Sequence, residues 1–314
     1  MIRITFTEPT EPNARAAFRE WLDECELKQA LLNQAMSDWL SYWATVPPAV
    51  TIEEQRHLDK RKRDEKPKVE STVYSSQKKY YSALDGIFRG KCAYCETEIY
   101  QSSSGDIEHF RPKGNVKDFT SGKTITVTIG GQEVQHPGYY WLAYDNQNLL
   151  FSCELCNRPN KQRSNNRTIG KHDYFPLETD FRAIQPGEEI NESPSFINPL
   201  SIDPDDLPEN HLKIDKSGVL AFKTERGRKC IEMLGLNERH LPDYRRDRYR
   251  QVEQIVINWY IETKQQNQQS SDELYEHINK IKNGFGPYSM IARKAIKDTI
   301  EEMEELSARL KLDN

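Results

Sequence analysis

The sequence predicts an α+β protein in which a small cysteine-framed core is flanked by helical regions on both sides. Three observations carry this. Apolar residues recur at helical spacing before residue 90 and after residue 224. Two alternating runs, each broken by a glycine turn, read as hairpins. Two C-x2-C pairs bracket the middle of the chain. The 314 residues suit one large domain or two moderate ones. The regions divide as 1–90 (helical), 91–176 (the cysteine-framed core), 177–223 (an acidic loop and a hairpin) and 224–314 (helical).

Phe18, Trp21, Leu22, Leu31, Leu32, Met36, Trp39, Leu40 and Trp43 are three and four apart, which predicts a helix over 12–46 that Pro47-Pro48 ends. Residues 50–70 carry both charges and almost no apolar side chains, so they read as a solvated helix or a linker. Tyr80, Tyr81, Leu84 and Phe88 predict a helix over 73–88, stopped at Gly90. Alternation over 124–129, closed by Gly130-Gly131, predicts a hairpin, and GYYWLAY at 138–144 a short buried helix. Residues 177–211, rich in Pro, Asp, Glu and Asn, read as a loop. A second hairpin is expected around Lys216-Ser217-Gly218. Helices are expected over 224–234, 238–264, 272–283 and 288–311.

The chain is polar: 36% hydrophobic and 30% charged. No stretch approaches the length of a membrane span, and the start, MIRITFTEPTEP, lacks the apolar run of a signal peptide. The expectation is a soluble, cytoplasmic protein with no membrane partner. A net charge of −5 argues at first sight against a nucleic-acid partner. However, residues 172–215 hold eleven acidic and two basic residues, so the rest of the chain sums to +4. Residues 157–171 carry Arg158, Lys161, Arg163, Arg167 and Lys171 and no acid.

Cys92/Cys95 and Cys153/Cys156 are spaced as two knuckles around one ion, and together they predict a four-thiolate structural zinc site. Cys25 and Cys230 sit in helical apolar patterns and read as core. Between the knuckles lies Asp106-Ile107-Glu108-His109-Phe110-Arg111-Pro112. Phosphodiester hydrolysis needs a base to activate water, a cation to stabilise developing charge, and a group that orients the base. His109 is the candidate base and Glu108 a hard oxygen ligand for Mg2+ or Mn2+. Asn148 is placed to accept a bond from the second imidazole nitrogen. Asn157 is the candidate second ligand, with Asn160 and His172 as alternatives. Arg158, Lys161 and Arg163 are candidate phosphate contacts, or else a solvated helix face.

The order C-x2-C, acid-His-x-x-Pro, Asn-Leu, C-x2-C-Asn-x3-Lys resembles the HNH nucleases of the ββα-metal superfamily. The resemblance implies a fold in which two strands and a helix hold the catalytic metal while zinc knuckles staple the motif. It gives the same roles to Glu108, His109, Asn148 and Asn157, the last two being nine residues apart. This chain departs in having Glu for the usual Asp and a longer insertion at 113–137. IEHFRPK, YYWLAYDNQNLLFSC, INPL-x-x-D-P and LGLNERHL, spread over about 90–245, are similar to a narrower group. These are the PtuB-like HNH proteins of Septu-type and retron-linked antiphage systems. That likeness implies a separate PtuA-like ATPase partner, since no phosphate-binding loop motif occurs here. It also implies a nucleic-acid substrate, with DNA favoured over RNA. The competing expectation is a zinc-binding interaction module without catalysis.

Overall fold

The computed structural model describes residues 4, 6–76, 78–99, 103–129, 131–162 and 167–312. It is a mixed helix–strand structure, and its two-stranded sheets are small.

Helix α1 (Pro12–Thr45) opens on a proline and ends before Pro47-Pro48. Its buried face is Phe18, Trp21, Cys25, Leu32, Met36 and Trp43. These steps of three, four and seven draw one apolar stripe along a helix. Helix α2 (Ile52–Glu65) buries none of its residues and starts with a Thr51/Glu54 capping box. Lys62 holds it to α1 by lying over the Trp39 and Trp43 rings, 5.9 and 5.6 Å from their centroids. Just beyond it, Lys66 Nζ donates to Gly114 O and Pro137 O (2.8 and 2.7 Å).

The helix expected over 73–88 is instead two short pieces, α3 (Ser71–Ser75) and α4 (Lys78–Ser82), followed by turns. The chain reverses after α4. A Cβ at Gly86 would stand 1.9 Å from Tyr80 O, so only glycine fits there. Trp21 Nε1 donates to Val73 O (2.8 Å) and ties α3 to α1.

The central pair is β1 (Asp106–His109) and, later in the chain, the strand Leu149–Ser152. They run antiparallel with Glu108 opposite Leu150 and His109 opposite Leu149. Between them come the hairpin β2 (Thr126–Ile129) and β3 (Gln132–Gln135), with Gly130 outside the described residues, and a 3-10 turn at Tyr140–Leu142. The strand Leu149–Ser152 is β4, buried throughout, and the single turn α5 (Glu154–Asn157) follows at once. Strands β5 (Asn160–Lys161) and β6 (Thr168–Ile169) pair beyond it.

The acidic segment expected as a loop carries two 3-10 turns, Glu188–Asn191 and Pro204–Asp206, in otherwise irregular backbone, and it is packed. Ala183, Phe196, Ile197 and Leu200 are buried. The fully buried Glu192 carboxylate takes Arg111 Nε (3.1 Å), the Tyr139 hydroxyl (2.6 Å) and Ala183 N (2.9 Å). The short helix α6 (Pro208–His211) leads into the hairpin β7 (Leu212–Ile214) and β8 (Leu220–Phe222). Helix α7 (Glu225–Leu234) is capped by Thr224 and ends at Gly235, whose φ of 58° is left-handed. Helices α8 (Leu241–Lys264), α9 (Gln268–Lys282) and α10 (Ser289–Leu312) pack on one another. Lys91 Nζ, beside the first knuckle, donates to Gly284 O and Gly286 O (2.7 and 2.9 Å) in the α9–α10 turn. Among the described residues no helix is long and apolar enough to cross a membrane.

Candidate functional site

The four sulfurs of Cys92, Cys95, Cys153 and Cys156 lie within 4.8 Å of one another, with Cys95 and Cys153 3.9 Å apart. A tetrahedral ion with sulfur ligands at about 2.3 Å needs sulfurs about 3.8 Å apart, so the four thiols can hold a metal ion such as zinc. Ala93 N donates to Phe151 O (2.8 Å), and this pins the first knuckle to β4, from whose end the second knuckle springs. Hydrogen bonds from Cys153, Cys156 and Cys92 hold the Cys95 thiol well below its ordinary value. Arg239 Nη2 lies 3.4 Å from Cys156 Sγ and also donates to Leu234 O (2.8 Å). It brings a positive charge to a cluster that becomes anionic on binding metal. Cys25 and Cys230 are buried away from the cluster, and burial pushes both thiols up to about 12.

Glu108 and His109 sit at the end of β1, both buried. Gly105 permits the entry: its φ is +60°, and a Cβ there would meet the Phe151 ring at 2.5 Å. Adjacent strand residues point to opposite faces, and the two side chains find different partners. Glu108 Oε1 accepts from Lys171 Nζ at 2.7 Å, and the same ammonium donates to His109 O (2.7 Å). Lys171 has no exposed side-chain surface. Burial raises the Glu108 carboxyl above its ordinary value in spite of Lys171. His109 Nε2 lies 2.9 Å from Ala143 O, and Nδ1 lies 3.2 Å from Lys113 Nζ. Burial, helped by Lys113, holds this imidazole well below its ordinary value, so it is neutral at neutral pH.

Asn148 departs from the expected bond to the imidazole. Its Oδ1 accepts from Arg111 N (2.7 Å), and its Nδ2 donates to Arg111 O (3.1 Å) and Leu142 O (3.0 Å). Both ends of the amide are committed to backbone, because Asn148 closes the chain leaving β1 onto the 3-10 turn. The imidazole is oriented by Ala143 O, the next carbonyl along from Leu142, so Asn148 acts on it only through the turn.

Asn157, on α5, turns its amide nitrogen to Asp106 Oδ2 (3.0 Å). Asn160 Nδ2 donates to Leu155 O, Arg158 O and Ile169 O, which makes it a clasp between α5 and the β5–β6 pair. His172 is half-buried with Nε2 3.2 Å from Lys117 Nζ, and its backbone N donates to Asn157 O (2.7 Å). Arg158 forms a two-pronged pair with Asp106 (3.0 and 2.8 Å), so a phosphate contact from it requires that pair to open. Lys161 is exposed on β5, and Arg163 lies outside the described residues. Neither Lys171 nor Lys113 carries a local sequence signal of its place in the site. Lys171 was visible only as one of five cations in a run, and Lys113 only as the end of IEHFRPK.

Lys171 takes one oxygen of Glu108, and the Asn157 amide nitrogen faces Asp106. Carboxylate and amide oxygens suit Mg2+ or Mn2+.

No family model and no solved structure matches the chain. Two curated proteins of Bacillus mycoides (strain KBAB4) are similar to it. Septu protein PtuA is 26% identical over 178 residues, 56% of this chain but only 21% of PtuA. Septu protein PtuB is 31% identical over 250 residues, which cover 73% of this chain and 77% of PtuB. At that identity and coverage, the chain belongs to the Septu PtuB family.

Proposed function

We propose that the chain is a metal-dependent HNH endonuclease with a zinc-stapled ββα-metal core, built from β1, β4 and α5. It is the effector of an antiphage defence system and works with a PtuA-like ATPase on a separate chain. The observation that carries this reading is the setting of Glu108 and His109. They end a strand that pairs with β4, β4 runs directly into α5 with Asn157, and a four-thiol cluster joins the two ends. His109 is neutral and oriented by Ala143 O, the state a general base needs. It takes the proton from a water that attacks a phosphodiester. Glu108 and Asn157 would hold the divalent ion, with Lys171 fixing the Glu108 carboxylate. A bound Mg2+ or Mn2+ supplies positive charge for the departing oxygen. Lys161, and Arg158 once it leaves Asp106, face the phosphates. Similarity to PtuB and PtuA supports the defence role and the partner. Nucleic acid, with DNA favoured over RNA, is the substrate.

The test is cleavage by the full chain, alone and co-purified with its PtuA-like partner, under a series of ions. Activity should vanish when free divalent ions are chelated mildly enough to leave zinc bound. It should return with Mg2+ or Mn2+. Unchanged cutting without added ion would remove the Glu108–Asn157 metal site. A second reading, a zinc-binding interaction module, draws on the burial of Glu108 and His109. It predicts bound zinc and no cleavage with any ion.

A further inference from the structure

The candidate base is capped by a cation. Ala143 O can only accept, so His109 Nε2 carries the ring proton and the lone pair of the neutral imidazole lies at Nδ1. Lys113 Nζ stands 3.2 Å from that atom, and an ammonium can only donate. The atom of His109 able to take a proton from water is therefore already accepting a hydrogen bond. The cap is itself held in place. Lys113 Nζ lies 4.7 Å from the centroid of the Tyr74 ring, and Tyr74 meets the imidazole edge-on at 4.8 Å. His109 retains 3% exposure beneath them.

Lys113 also has somewhere else to go. It lines a cleft of about 1140 Å3 between α1, α2 and the β2–β3 hairpin. The wall of that cleft holds five cations, among them Lys62 and Lys113, against the two carboxylates Asp59 and Glu133. Trp39 and Trp43 also line it, and their indole N–H groups are buried without a partner. A cationic, aromatic cleft suits a nucleic-acid strand, which offers anionic phosphates and flat bases.

We propose that Lys113 is a substrate-gated positioning residue: a phosphate of a strand seated in this cleft draws its ammonium off His109 Nδ1 and frees the lone pair for water. The exchange replaces a bond to a neutral nitrogen with one to a full negative charge, which is the stronger of the two. The base is thus blocked in the empty protein and exposed where a phosphate is present. This inference rests on the nuclease reading.

The test is the 15N spectrum of the zinc-loaded full chain labelled at histidine, with His109 assigned by loss of its signals in His109→Ala. A phosphorothioate oligonucleotide, in DNA and RNA forms, is added without divalent ion. The Nδ1 resonance should move downfield towards that of a free lone pair. Lys113→Met should show the moved position without oligonucleotide, and Lys113→Arg, which keeps the cation, should stay capped. In cleavage assays Lys113→Met should raise KM about tenfold, the loss of one charged hydrogen bond, while kcat holds or rises. Failure to bind either oligonucleotide, an Nδ1 signal unmoved at saturation, or a fall in kcat at constant KM would overturn the proposal. If the resonance moves but wild type and His109→Ala cut equally, the nuclease reading fails and the movement of Lys113 stands.

Discussion

At the residue scale, the pair that decides the site is Glu108 and Lys171. An ammonium without exposed side-chain surface is tolerated only when paired, and Lys171 has both Glu108 Oε1 and His109 O within 2.7 Å. Lys171→Met leaves the Glu108 charge buried without its ion-pair partner, with only the more distant Lys113 charge and a backbone hydrogen bond from His109 to offset it. We expect a loss of about 3–5 kcal/mol in denaturant unfolding, and adding Glu108→Gln should recover part of it. A Lys171→Met protein as stable as wild type would show that Glu108 does not need this partner. The sequence singles out Glu108, His109, Asn148 and Asn157 because two cysteine pairs frame them, and their roles belong to the proposed nuclease reading. Lys171 is not singled out, because 63 residues separate it from Glu108 and nothing local distinguishes it from the exposed cations of its run. The misassigned bond of Asn148 has a similar origin. Residue type shows that an amide is present, while its partners depend on how the 140–142 turn returns to β1.

At the element scale, periodicity sufficed where one apolar face is long. Helices α1, α8, α9 and α10 and both hairpins lie close to their predicted ranges. It failed over 73–88, where the tyrosines keep helical spacing but Gly86 must pass against Tyr80 O. The acidic segment read as a loop because its composition hides Glu192, a carboxylate turned inward to Arg111 and Tyr139. The junction between α7 and α8 presents Arg239 to the thiol cluster. No cysteine spacing could have predicted this contact. Partners that hydrogen-bond metal ligands typically change affinity 10–100-fold. Arg239→Leu should therefore weaken zinc binding by about 10-fold or more in competition with a chelator, with far-UV circular dichroism unchanged. Equal zinc affinity in variant and wild type would make the arginine a packing residue only.

For the whole molecule, the acidic segment, the β2–β3 hairpin and the N-terminal helices are joined through buried polar contacts. His136 Nε2 donates to Ala183 O (2.8 Å), and Nδ1 accepts from Gly138 N (3.0 Å). Burial lowers this imidazole from 6.5 to about 4. The unfolded chain therefore takes up a proton near pH 6.5 that the folded chain refuses until about pH 4. The contribution is intact above pH 6.5 and drains away as pH falls towards 4, by about 3 kcal/mol in all. Unfolding midpoints from pH 7 to pH 4 should fall less steeply in His136→Gln than in wild type. Parallel profiles would remove this histidine from the acid response. The net charge of −5 belongs to the same scale. Much of the acidity lies in the segment that packs through Glu189 and Glu192, and Glu189 takes Trp141 Nε1 (2.8 Å). The cleft beside Lys113 keeps the sign a phosphate backbone requires.

On the proposed reading, His109 at the end of β1 is the base of a metal-dependent nuclease. The most direct test is phosphodiester cleavage by His109→Ala beside wild type, in the full chain with its partner, with zinc content and melting measured on the same samples. Cleavage should be abolished while zinc stoichiometry and melting stay near wild type. Cleavage at the wild-type rate by a zinc-loaded, folded His109→Ala protein would contradict it.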